Sequence, residues 1–383
     1  MKAPPQKSPN MITTPEALAK MCTELTQETV MGLDTEFIRE TSFYPRIALI
    51  QVASRTRTWL VDPVALDKTA LTPLLDVLVN PEILKVIHAS HSDQECLFWS
   101  YGILAGPVLD TSIAAALCGL GDSIGLQKLL RELLGVHVPK GRARAKWLAR
   151  PLSPELLHYA EQDVAHLVAL YEKLKDLLTH KARWDWAIQE SKVEAAIFDV
   201  PPEEMAAKIV RGAHLHKEEP ILRELVIWRE SRAREANIPR GWVADNEVLI
   251  ALAKTQPKSI EELKTFRGIH AKEIERSGGR IIKAIEKGLA SENPPLKETS
   301  RDFGRVDSHA VALLQTYISF LAAQLEIMPR FLINAHQSHQ ILFHSEKSIE
   351  EWVTLGILGE EASQLIGQDL AGEKLAFGFR IEN

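Results

Sequence analysis

Cysteine is scarce in this chain: three residues, Cys22, Cys96 and Cys118, are odd in number and form no close-spaced pair. That excludes a disulfide scaffold and a cysteine-built zinc site, and it fits a reduced, cytosolic setting. Long apolar runs are lacking too, so no membrane span is expected. The first residues, with Pro4, Pro5 and Pro9 among lysines, have no apolar stretch resembling a signal peptide. An excess of positive charge is also missing, since 45 Lys plus Arg face 51 Asp plus Glu for a net charge of −6. Affinity for nucleic acid would therefore have to come from local basic patches and from metal. The expectation is a soluble cytoplasmic protein with no membrane association and no implied protein partner. A chain of 383 residues is long for one domain and points to two or three.

Acids in three separated segments carry the chemistry. Val30 to Phe37 is an apolar entry into Asp34 and Glu36, which at i, i+2 on a strand share one face. Two buried like charges repel, and each costs several kcal/mol to desolvate, so such a pair calls for a cation between them. From this segment alone, a strand end with two hydrated acids remains the alternative. Ser153, Pro154 and Glu155 are an N-cap, a first-position proline and a first-turn acid, which predicts a helix through about Val164. Tyr159 and Asp163 then stand at i, i+4, about 40° apart around the axis. Between these segments, Leu84 to His88 reads as a strand that breaks into a turn and then a helix. Asp93, in the first turn of that helix, is preferred to Glu95, which projects about 200° away.

The series Asp-x-Glu, Asp, Tyr-x-x-x-Asp resembles the three motifs of the DEDDy branch of 3′→5′ exonucleases, and the closer fit is the ribonuclease D family. Its flanks agree: His88 and Ala89 before Asp93, Tyr44 and Pro45, then Leu49, Ile50 and Gln51 after the first acids, Asp110 and Thr111 opening a helix, and Trp147 to Leu152 ahead of the tyrosine helix. The resemblance implies phosphodiester hydrolysis assisted by two divalent metal ions, Mg²⁺ or Mn²⁺, which prefer hard oxygen ligands. Asp34, Glu36, Asp93 and Asp163 are the proposed ligands, and Tyr159 would orient the attacking water. A sister branch has histidine five positions before its last aspartate, where His158 stands here. On a regular helix His158 is about 140° from Asp163, so geometry favours Tyr159. The implied substrate is the single-stranded 3′ end of RNA, with tRNA precursors foremost, and the product is nucleoside 5′-monophosphates. A DNA-trimming exonuclease of the same superfamily and an inactive nucleic-acid-binding scaffold are the rival readings.

Phe37, His91, Lys140, Arg142 and Arg144 are the candidate substrate contacts. The last three belong to a basic run with Lys146 and Arg150 that could meet the phosphate backbone or could be a solvated loop. Lys146 stands where the family usually has an acid, which puts that loop's contacts in doubt. His88 and His91 lack partner cysteines for a zinc site. Gly119 to Gly125 reads as a helix-terminating turn rather than a phosphate loop, and Asp62 and Asp110 as turn or cap residues.

The expected fold is α/β, a ribonuclease H-like exonuclease domain with a mixed sheet followed by two all-α HRDC-like domains. Strand-like runs at Val30 to Phe37, Ile47 to Ala53, Thr58 to Val61 and Leu84 to His88 alternate with helices. Short loops make the early strands antiparallel, and intervening helices make the later ones parallel. The exonuclease domain is expected over residues 1–200, ending in a linker at Val200, Pro201 and Pro202. Amphipathic helices follow, and Asn237 to Leu249 resembles the start of an HRDC domain, placed at 215–293. A weaker second copy is expected over 305–383.

Overall fold

The computed structural model describes residues 11–138, 145–213, 215, 217–291, 306–345 and 347–371. The α/β part runs β1 (Met11–Ile12), α1 (Pro15–Leu25), β2 (Val30–Ile38), β3 (Arg46–Ala53), β4 (Thr58–Val61), α2 (Lys68–Val79), β5 (Leu84–Ile87), α3 (His91–Tyr101) and β6 (Val108–Asp110). Then come α4 (Thr111–Leu117), α5 (Leu126–Leu134), α6 (Pro154–Ala165), α7 (Leu167–His180) and α8 (Trp184–Glu190). Among the described residues six strands form one sheet in the order β1-β4-β3-β2-β5-β6. The β2–β3 and β3–β4 pairs are antiparallel, while β2–β5 and β1–β4 are parallel. The mixed sheet follows from the connections: short loops reverse the chain between β2, β3 and β4, and α2 carries it over to β5. β3 is buried along seven of its eight residues. A strand covered on both faces has no polar side to alternate, which is why it reads as an unbroken apolar run. Two-residue β1 carries no periodicity and was not legible in the sequence.

After α8 the chain is helical: α9 (Pro202–Ala213), α10 (Glu219–Ala236), α11 (Arg240–Val243), α12 (Asn246–Thr255), α13 (Ile260–Lys264) and α14 (Ala271–Leu289). The expected linker is shorter than its three residues, because Pro202 already opens α9, where its missing N–H is no loss. Ala206 and Val210 of α9 pack with Leu222, Leu225, Leu249 and Ile281 in one apolar core. The last segment forms α15 (Ser308–Gln324), α16 (Pro329–Leu332), α17 (Ala335–Phe343), α18 (Ile349–Thr354) and α19 (Glu360–Ala371). No helix among the described residues is long and apolar enough to cross a membrane.

The chain divides into two compact units that cut across its linear order. One takes residues 1–108, 138–168 and 192–298, and the other takes 109–137, 169–191 and 299–383. The first therefore contains most of the sheet, α6 and the helices α9 to α14. In the second, the buried Arg183 donates to the carbonyls of Leu117 and Leu325, each at 2.7 Å. One guanidinium thus satisfies the open carbonyl ends of α4 and α15. Trp186 meets Phe331 edge-on at 6.1 Å in the same unit.

Candidate active site

Asp34 and Glu36 lie on β2, opposite Gln51 and Leu49 of β3. Gln51, fully buried, donates its amide to Asp34 Oδ2 at 3.2 Å. Helix α6 begins where the sequence places it, with the Ser153 hydroxyl accepting from Leu156 N–H and Pro154 at the first position. Its one-turn spacing aims Tyr159 and Asp163 at the same strand. Close approach of helix and strand depends on Gly32. A Cβ there would come 3.0 Å from the Leu167 side chain and 3.3 Å from the Val164 carbonyl. Gly32 thus lets the end of α6 settle against β2 two residues before Asp34. As a result, one carboxylate oxygen from each of Asp34, Glu36 and Asp163 lies within 4.8 Å of the other two.

Asp93 reaches the same end of β2 from the first turn of α3. One of its oxygens, Oδ1, accepts both from Thr35 N–H at 2.9 Å and from Thr35 Oγ1 at 2.5 Å. Thr35 therefore holds Asp93 near the two acids of β2, although Asp93 is not one of the three carboxylates that meet within 4.8 Å. Glu95 turns away and is held by both guanidinium nitrogens of Arg39, at 2.5 and 2.8 Å.

The electrostatics are those of acids crowded together and withdrawn from water. Burial, then the charges of Asp93, Asp163 and Glu36, drive the Asp34 carboxyl well above the ordinary carboxylate range. Burial, with Asp163 and Asp93 adding to it, pushes Glu36 up to about 9. Asp163 is raised by burial to about 6, against the pull of a hydrogen bond from Tyr159. The Tyr159 phenol is raised far above its usual value, by burial first and then by Asp163 and Glu36, so it stays a neutral donor. Its ring lies 6.0 Å from the fully buried Trp147. All the donors are oxygens, and each acid would shed its proton on meeting a cation. The residues fit a hard divalent ion.

The other residues singled out in the sequence fall elsewhere. His158 is half-buried and points to Glu161 at 3.8 Å, on another face of α6 from Tyr159. His91 is exposed with its ring 5.1 Å from Phe198, and Phe37 packs partly buried against the apolar core. Lys140, Arg142 and Arg144 lie outside the described residues; Lys146 is exposed at the edge of that stretch. Arg150, grouped in the sequence with this basic run, is turned inward. Its Nε and Nη2 hold Asp62 at 2.7 Å each, and it also donates to the carbonyls of Ala48 and Trp147. Asp62 is thereby a structural acid, and with this pairing Arg150 has no free fork for phosphate. Asp110 caps α4, and Gly119, at φ +83°, belongs to the turn that follows it. Gly32, Gln51 and Thr35 were not singled out as site residues. Only Gln51 left a trace, as part of a motif flank.

The sequence pattern of the 3′-5′ exonuclease family matches residues 9–179, and that of the HRDC domain matches 218–285. A curated ribonuclease D of Granulibacter bethesdensis is 31% identical over 348 residues, covering 89% of this chain and 88% of that protein. The ribonuclease D of Bartonella henselae is 32% identical, covering 92% of this chain and 86% of that protein. Among solved structures, Escherichia coli RNase D, described as an exoribonuclease involved in structured RNA processing, superposes with a TM-score of 0.79 at 28% identity. That match spans 95% of this chain and 99% of the other.

Proposed function

The chain belongs to the ribonuclease D family and is a 3′-5′ exoribonuclease, and we propose that it works with two divalent ions, Mg²⁺ or Mn²⁺, held by Asp34, Glu36, Asp93 and Asp163. The observation that carries this reading is the meeting of three carboxylates within 4.8 Å, with Asp93 fastened beside them by Thr35. Bound there, such ions neutralise the nonbridging phosphate oxygens, activate water and stabilise the leaving 3′-alkoxide. Tyr159, kept protonated by its surroundings and donating that proton to Asp163, holds the attacking water in line as a hydrogen-bond acceptor. Asp163 in turn anchors the phenol. Attack on the last phosphodiester breaks its P–O3′ bond, releasing a nucleoside 5′-monophosphate and leaving a new 3′-hydroxyl on the RNA.

The substrate in this reading is the single-stranded 3′ end of RNA, tRNA precursors in particular. His91, exposed two residues before Asp93, and Phe37 beside Glu36 would contact it near the scissile bond, with Lys140, Arg142 and Arg144 on the backbone behind. The working modules are a nuclease over 1–200 and helical modules over 215–293 and 305–383. Digestion of matched 5′-labelled RNA and DNA oligonucleotides in Mg²⁺, Mn²⁺ and EDTA tests the proposal. A metal-dependent ladder on RNA that disappears in Asp34→Asn is the expected result. Equal trimming of DNA refutes the RNA preference, and undiminished activity in EDTA or in Asp34→Asn refutes the metal reading.

A further inference from the structure

The loop between β2 and β3 leaves the nuclease core and enters the helical module. Phe43, only 7% exposed, belongs to the same apolar core as Leu222, Leu249 and Ile281. Two guanidiniums lie over its ring, Arg240 at 4.4 Å and Arg234 at 5.4 Å from the centroid. Neither cation is loose. Arg240 is paired with the fully buried Glu230 at 2.7 Å, and Arg234 with Asp199 at 2.8 Å. The next residue is gripped as well, since Tyr44 N–H donates to Asn237 Oδ1 at 3.0 Å.

Both ends of this clasp lead to the acids. The loop continues directly from β2, the strand of Asp34 and Glu36, and its first residue, Arg39, clamps Glu95 of α3. The Tyr44 ring lies 4.5 Å from Trp99 of α3, the helix whose first turn presents Asp93. Three of the four acids thus sit on two elements that the clasp touches. A buried ring contacted by two ion-paired guanidiniums is held by cation–π attraction as well as by burial, and both resist movement of the loop.

We propose that Phe43 is a positioning residue: by seating the β2–β3 loop in the helical module, it sets the spacing of Asp34, Glu36 and Asp93. The module at 202–290 is then part of the catalytic unit and not only a platform for RNA. The inference rests on the assignment of those acids as metal ligands. Residues that orient a ligand without touching the ion typically change affinity or activity by about 10–100-fold when removed.

The test uses the full chain, stripped of metal, with Mn²⁺ affinity read by calorimetry in the absence of RNA. Turnover of a single-stranded RNA oligonucleotide is then measured at saturating Mn²⁺. Phe43→Ala is expected to weaken Mn²⁺ binding about 10-fold and to lower kcat about 10-fold, with KM within about 2-fold of the parent. Phe43→Leu, which keeps an apolar side chain and loses the ring, should show the same losses in smaller degree. It decides the matter should Phe43→Ala lose its far-ultraviolet circular dichroism. Native Mn²⁺ affinity and kcat in the folded variants would overturn the proposal, and so would a rise in KM alone. Asp34→Asn separates the two layers of the argument. Its full activity would sink the ligand assignment itself, whereas its inactivity beside an unaffected Phe43→Leu sinks only the positioning role.

Discussion

Replacing Asp163 by asparagine should stabilise the metal-free protein while destroying its activity. A carboxyl raised in the folded state binds its proton more tightly there than in the unfolded chain. Its share of stability is complete below the unfolded value and disappears as pH rises through the folded one. For Asp163 that window runs from 3.8 to about 6, and for Glu36 from 4.5 to about 9. For Asp163 alone the rise corresponds to about 3 kcal/mol lost by pH 7, at 1.36 kcal/mol per pH unit. A neutral amide at this position carries no such charge, so Asp163→Asn should match the parent near pH 4 and exceed it by up to about 3 kcal/mol at pH 8. In thermal melts with EDTA, that is a Tm advantage of roughly 4–6 °C at pH 8. Adding Mn²⁺ should reverse the order if Asp163 is a ligand as proposed, because the amide then leaves the ligand set one carboxylate short. A difference that stays flat from pH 4 to pH 8, or favours the parent throughout, would refute the argument that crowded acids are a liability relieved by metal.

Gly32→Ala puts a Cβ 3.0 Å from the Leu167 side chain, and should cost about 1–3 kcal/mol and lower kcat more than it changes KM. Denaturant melts with steady-state kinetics check it, and native values in both would remove Gly32 from the site. Thr35→Val deletes the 2.5 Å hydroxyl contact to Asp93 but keeps the backbone one; a charged hydrogen bond worth about 1.5–3 kcal/mol predicts a fall in kcat of about 10–100-fold. RNA binding by anisotropy should be unchanged in that variant. Arg150→Ala breaks a two-point pair with the buried Asp62 and should destabilise by about 3–5 kcal/mol without altering the salt dependence of RNA binding. A shallower salt slope with native stability would return Arg150 to the phosphate-binding set.

Local rules made much of this protein legible before any coordinates. Alternation placed Asp34 and Glu36 on a strand, and the cap at Ser153 with 3.6-residue periodicity set Tyr159 over Asp163, away from His158. The first-turn position of Asp93 and the turn roles of Asp62, Asp110 and Gly119 followed from the same short-range rules. The two-residue strand β1 escaped, having too few residues for a period, and the linker shrank because proline starts a helix as readily as it ends one.

Contacts far apart in sequence were decided only by the tertiary structure. Thr35 and Asp93 are 58 residues apart, and nothing in the pattern of either segment names the other. Gly32 looked like any small residue in a strand until the neighbouring helix left no space for a side chain. Arg150 shared a stretch with solvent-seeking cations, yet an acid 88 residues away drew it inward. Phe43 gave no sign that its partners lay in a helical module about 190 residues on. Sequence by itself determined which candidate acids stand on which element and in which phase, because residue type and helix or strand phase are local properties. Their spacing, protonation and support came from packing, since close approach and burial depend on what the rest of the chain brings alongside.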